Sequence, residues 1–130
     1  MDITPLIPKD KNVINSYGPD GFKINQTIYQ NTILLTPDQL IEIKVESVDL
    51  IDWKLLGKMI DLELEIILIG TGEFHKKISD KLKNEIKAIH PEASINEMTS
   101  SAACRTYNIL ISEDRKVAAI LIPFISSSSK

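Results

Sequence analysis

Two short stretches hold the residues whose types and spacing could do chemistry: Gly70-Thr71-Gly72 and Thr99-Ser100-Ser101, the second followed by Arg105. Glycines 70 and 72 permit a ligand to approach the backbone closely, and each stretch reads as the opening of a helix, where the first N–H groups lack partners. Arg105 falls about one turn into the second helix. Gly70, Thr71, Gly72, Ser100, Ser101 and Arg105 therefore form a candidate site for an anion or small molecule. The structural reading of the same residues is the stronger one. Gly70-Thr71-Gly72-Glu73-Phe74-His75 fails the dinucleotide fingerprint, because His75 stands at the third glycine position and Glu73 brings negative charge. The lysine of a phosphate-binding P-loop is missing as well. Glycines after a strand are usually turn residues, and an arginine such as Arg105 is more often a surface ion-pair partner.

Cys104, near the start of the same helix, would be a nucleophile if its thiol ionised, with His75 across the cleft as a base. Among Ala102, Ala103 and Thr106 it reads instead as a small buried hydrophobe. His75 and His90 are far apart, no Cys/His spacing matches a zinc site, and no Ser/His/Asp elbow is present. The sequence thus implies no catalytic residue, no metal and no cofactor, and leans away from an enzyme. Lysines 76, 77, 81, 83 and 87 read as a solvated helix face diluted by Asp80 and Glu85. As a function, that face would mean docking onto an acidic protein or a membrane surface. Trp53 reads as core rather than as an interface anchor.

These residues need elements to position them. Glu65–Ile69 is a β-branched apolar run, suited to a central strand that is dry on both faces. Phe74, Ile78, Leu82, Ile86 and Ile89 then recur at helical spacing, and Pro91 stops the helix. Burying four such aliphatic side chains contributes roughly 6–12 kcal/mol before entropy. Ser94–Met98 is a short strand, so residues 65–98 make a β-α-β unit with parallel strands. Thr99-Ser100-Ser101 supplies N-cap hydroxyls for a helix whose buried face is Ala103, Tyr107, Leu110 and Ile111. Lys116–Ile122 is the last strand, apolar enough to be internal. If strands 65–69 and 94–98 run the same way, their following turns share one rim, where ligands of open α/β sheets tend to bind.

The first third reads as a β-meander. Asn12–Tyr17 leads into Gly18-Pro19-Asp20-Gly21, a turn in which proline sets φ and glycine accepts positive φ. Phe22-Lys23-Ile24 alternates, Asn25-Gln26-Thr27 is a second tight turn before Ile28-Tyr29, and Asn31–Leu35 runs to a proline at 37. Leu40–Val45 alternates strictly and is another strand. Leu50–Ile60 reads as a helix capped by Asp49 or Asp52, with Ile51, Leu55, Leu56 and Met59 on one face and Gly57 weakening it by about 1 kcal/mol.

A chain of 130 residues with 43% hydrophobic and 25% charged content suits one globular domain, read as residues 1–125 with a polar, disordered tail at 126–130. A lone cysteine excludes a disulfide-stapled scaffold. The amino-terminal residues lack a basic segment and an unbroken apolar run, so a secretory signal is not expected and the protein is expected in the cytoplasm. No apolar run is long enough for a membrane span, which excludes insertion. The net charge of -3 argues against a nucleic-acid partner.

Several separated blocks agree in order with a known family. They are Gly21–Asn25, Tyr29, Leu68–Gly72, Ala102–Leu110 and Arg115–Pro123. Across about residues 13 to 123 the chain resembles a family of small uncharacterised α/β domains. That family includes the mitochondrial complex I (NADH:ubiquinone oxidoreductase) assembly factor 3 and short bacterial proteins without an established activity. The resemblance implies a three-layer arrangement around a mixed central sheet, with flanking helices and an added β-layer from the amino-terminal meander. It also implies a non-catalytic protein-interaction or assembly role with a protein partner. Gln26 departs from the pattern, standing where a glycine is expected, which leaves the tightness of that turn open. The acidic pair Glu63 and Glu65 is a second departure. The competing reading is an anion- or small-molecule-binding domain with its cleft at Gly70–Gly72 and Thr99–Arg105. A nucleic-acid role for the lysine helix is the third and weakest.

Overall fold

The computed structural model describes residues 1–3, 10–45, 47–53 and 63–124. The α/β fold is built on two sheets. Strands β1 (Ile14–Gly18), β2 (Gly21–Ile24) and β3 (Thr27–Tyr29) form a small antiparallel meander. Strands β4 (Thr32–Leu35), β5 (Leu40–Ile43), β6 (Ile66–Gly70), β7 (Ser94–Met98) and β8 (Val117–Leu121) form a mixed sheet in the order β5-β4-β8-β6-β7. The expected meander therefore stops at Tyr29. β4 leaves it to pair antiparallel with β5 and β8, because all four of its residues are buried and only a covered sheet can dry both faces.

The central strand explains the layering. All five residues of β8 are buried. Val117, Ala119 and Leu121 face one core, with Ile33, Leu35 and Leu68 from neighbouring strands; Ala118 and Ile120 face the other, with Leu34, Ile67 and Ile69. Alternation at period two does this automatically. On the first side lie helix α2 (Ser100–Ser112), through Ala103, Cys104, Tyr107 and Ile111, and the small sheet, through Ile14, Phe22 and Ile24. On the second side lie helix α1 (Asp80–Ile89), through Leu82 and Ile86, and the segment bearing Val48, Ile51 and Trp53. Trp53 is fully buried core.

Helix α1 begins later than the apolar spacing implies. Ser79 caps it, its hydroxyl accepting from the Leu82 N–H, and Phe74 lies outside it and 71% exposed. Lysines 76 and 77 accordingly sit on the preceding loop, not on the helix. Around residue 50 there is a single 3-10 turn, Val48–Leu50, capped by Ser47 rather than by Asp49 or Asp52. The remainder of the expected helix at 54–60 and the tail at 126–130 lie outside the described residues.

Both turns of the meander are two-residue loops. Gly21 has φ 116°, and a Cβ there would lie 2.3 Å from the Tyr29 carbonyl oxygen, so glycine is required. In the second turn Asn25 and Gln26 have φ 47° and 75°, the left-handed pair of a type I′ hairpin. The turn is tight despite Gln26, since the Gln26 N–H donates to Asn15 Oδ1 and Asn25 Oδ1 accepts from the Val13 N–H. Gln26→Gly relieves the Cβ penalty and keeps these bonds. It should raise stability by about 0.5–1 kcal/mol in a urea titration, after the added freedom of the unfolded chain is subtracted.

Candidate functional site

Strands β6 and β7 are parallel neighbours, paired from Ile66 opposite Ser94 to Gly70 opposite Met98. Their following turns leave the sheet at one rim, as the β-α-β reading requires. The two turns are joined there by hydrogen bonds. The Thr71 N–H donates to the Met98 carbonyl at 2.8 Å and the Ser100 N–H to the Gly72 carbonyl at 2.8 Å. Ser100 Oγ accepts from the Gly72 N–H at 2.9 Å and donates to the Ile122 carbonyl at 2.6 Å. Gly70 permits this close approach, because a Cβ on it would stand 2.9 Å from Ser100 Cα and 3.2 Å from the Ala103 methyl. Gly72 holds φ 104°, the left-handed region that its turn demands.

Four of the six candidate residues, Gly70, Thr71, Gly72 and Ser100, are thus brought together and buried. Their polar groups are engaged within the fold, so a ligand at this point would have to displace existing bonds. Thr71 extends the clasp, its hydroxyl donating to the Phe74 carbonyl at 2.8 Å and accepting from the Lys76 N–H at 3.0 Å. Ser101 is half-buried, with its hydroxyl 3.3 Å from Thr99 Oγ1. Arg105 is exposed and donates to the Tyr17 hydroxyl at 3.0 Å, which ties it to the small sheet. Tyr17 stacks in turn on Phe124, ring centres 5.5 Å apart.

Cys104 is fully buried in the core between α2 and the sheets. Burial pushes its thiol far above the ordinary range, and the nearby Arg105 charge offsets only part of this. The thiolate needed for nucleophilic attack is therefore not available in the folded state. Among the described residues no group of three or more His, Cys, Asp or Glu side chains could hold a metal ion.

Two features escape a reading of the sequence. Asn108 is buried under the small sheet, where its amide accepts from the Ile14 N–H at 3.1 Å and donates to the Ile14 carbonyl at 2.8 Å and the Ile3 carbonyl at 3.3 Å. An asparagine on the apolar face of α2 was the available signal. The second is a groove of about 610 Å³ at the opposite edge of the sheet, lined by Glu63, Glu65, Ile89, His90, Arg115 and Lys116. Glu65 accepts there from the Lys116 N–H and from Arg115, which holds its carboxyl below the usual range. Beneath the groove the His90 ring meets Trp53 edge-on at 5.6 Å, and neither His90 Nε2 nor Trp53 Nε1 has a hydrogen-bond partner among the described residues.

Desolvation lowers the His90 pKa below its ordinary 6.5. The unfolded chain therefore binds this proton more tightly than the native state does. The resulting stability is complete above about pH 6.5 and is lost as the pH falls from there through the lowered native value. Thermal melts from pH 7.5 to 5 should show a falling midpoint, and His90→Phe should flatten that slope.

Comparison with known proteins places this architecture. Residues 14–122 match the family described as "Protein of unknown function (DUF498/DUF598)". The chain belongs to that family. It is 33% identical over 108 residues to the "13 kDa major membrane protein" of Francisella tularensis subsp. holarctica, covering 82% of this chain and 86% of that one. It is 32% identical over 123 residues to the zebrafish (Danio rerio) NADH dehydrogenase (ubiquinone) 1 alpha subcomplex assembly factor 3, covering 85% of this chain and 64% of that protein. The chain thus spans somewhat less than two-thirds of the assembly factor. Its fold also resembles the solution structure of a Bordetella pertussis protein described as an Mth938-like domain, with TM-score 0.76, 22% identity, and coverage of 99% of this chain and 96% of that one. No helix among the described residues is long and apolar enough to cross a membrane.

Proposed function

We propose that this DUF498/DUF598 domain is a non-catalytic, cytoplasmic protein-interaction factor that assists assembly of a membrane-associated dehydrogenase. The observation that carries this reading is the 32% identity, along 85% of the chain, to a protein named as an assembly factor of NADH dehydrogenase. The chemistry of the rim is consistent with it: Thr71, Gly72 and Ser100 spend their hydrogen bonds holding the fold together, and the Cys104 thiol is sequestered. What α2 offers outward is an interaction surface, with Arg105 and Ile109 one turn apart and Ile109 58% exposed. An arginine beside an exposed aliphatic residue is a composition that suits the centre of a protein interface.

The test is affinity capture of the tagged full chain from native lysate, with quantification of dehydrogenase subunits. Enrichment of a peripheral dehydrogenase arm, reduced at least tenfold by Ile109→Asp, is the expected result. Absence of any dehydrogenase subunit above the untagged control would overturn the reading.

A further inference from the structure

We propose that the loop between β6 and α1 docks this protein on an anionic lipid surface, with Phe74 entering the headgroup layer and the neighbouring lysines pairing with phosphates. Five successive residues, Glu73, Phe74, His75, Lys76 and Lys77, are exposed. A phenylalanine left 71% exposed forgoes most of the burial that Phe22 obtains in the core, where it is wholly enclosed. The loop is held so that Phe74 stays outside. The Thr71 hydroxyl binds the Phe74 carbonyl and the Lys76 N–H, the Ile78 N–H donates to the Glu97 carboxylate of β7, and the Ile78 side chain is buried. The exposed residues are thus carried on a braced segment between two anchors.

The surrounding charge identifies the occupant. Lys76, Lys77, Lys81, Lys83 and Lys87 face three carboxylates, Glu73, Asp80 and Glu85, so residues 73–87 are net positive in a chain whose total is -3. None of these lysines makes an ion pair among the described residues, whereas Lys11 and Arg115 do. Protein interfaces are enriched in arginine and depleted of lysine. Here one aromatic side chain is interleaved with lysines. That mixture suits a bilayer surface, where a ring sits at the acyl boundary and lysine stems reach back to acidic headgroups. This inference is independent of the assembly role, which survives its failure.

The experiment is co-sedimentation of the full chain with vesicles of phosphatidylcholine containing about one-third phosphatidylglycerol, against phosphatidylcholine alone, at low salt. Binding is expected to the anionic vesicles only. The double variant Lys76→Glu/Lys77→Glu should lower partitioning on the order of 100-fold, and Phe74→Ser about tenfold. Lys44→Glu, a single charge reversal at an exposed residue elsewhere, should bind as the parent does. All variants should melt within about 2 °C of the parent, since the substituted side chains are exposed. Failure to bind anionic vesicles at low salt overturns the proposal. So does equal binding by the Phe74 and Lys76/Lys77 variants, or capture by polyglutamate in preference to vesicles, which would reassign the loop to an acidic protein.

Discussion

Asn108→Leu should lower the free energy of unfolding by about 2–4 kcal/mol, read from the urea midpoint at constant slope. The substitution keeps the side chain's length and branching, replaces the amide by two methyl groups and adds some volume at a packed position. What it leaves behind decides the cost. The Ile14 N–H and carbonyl, now bonded to Asn108, are buried and lose partners together, and the Ile3 carbonyl loses a third contact. Orphaned buried backbone groups carry their full desolvation penalty, about 1–3 kcal/mol each before relaxation. The position explains why an amide stands there. Both backbone groups of Ile14, at the start of β1, turn to α2, and the primary amide supplies a donor and an acceptor at once. Since Asn108 is the buried polar link from α2 to β1, the amides of β1 and β2 should lose hydrogen-exchange protection before those of β6 and β8. Uniform loss across both sheets would contradict this assignment.

Gly70→Val should be more damaging, with a loss of about 4 kcal/mol or failure to accumulate as folded protein, and Gly70→Ala should cost about 2–3 kcal/mol. The first added carbon already lies within 2.9 Å of Ser100 Cα, a backbone atom that cannot rotate away. Moving α2 outward to make room would break the Ser100 bonds to Gly72 and Ile122 and loosen Ala103 and Tyr107 against β8. A fluorescence-monitored guanidinium titration of the alanine variant gives the magnitude. A shift below about 0.5 kcal/mol would show that the contact between helix and strand is not as close as described.

Most of the framework was legible from local pattern. The apolar runs at β6 and β8, the short strand β7, the N-cap at Thr99 and the parallel pairing of β6 with β7 follow from periodicity, capping and the β-α-β rule. Boundaries were legible only where a breaker stood at the right place. Pro91 ended α1 correctly, but the apolar spacing back to Phe74 drew its start too early, because spacing does not register the Thr71 hydroxyl that bends the following residues into a loop. The meander was overrun for a similar reason: nothing in Thr32–Leu35 alone says which of two sheets it will join.

The candidate rim illustrates the difference in kind. Residue types, turn glycines and the shared edge were readable along the chain, since each depends on near neighbours and on the fixed handedness of a strand-helix-strand connection. Which atoms those residues would satisfy was not. Ser100 could have presented its hydroxyl to a ligand; it closes on Gly72 and Ile122 because the last strand, β8, passes beside β6 and carries the Ile122 carbonyl, just past its end, to it. Arg105 turned to Tyr17, 88 positions away, and Asn108 to Ile14, 94 away. Local sequence therefore determined the elements, their order and the position of the rim. Only tertiary packing decided which polar groups remain for other molecules, because hydrogen-bond partners separated by most of the chain leave no trace in the periodicity of either segment.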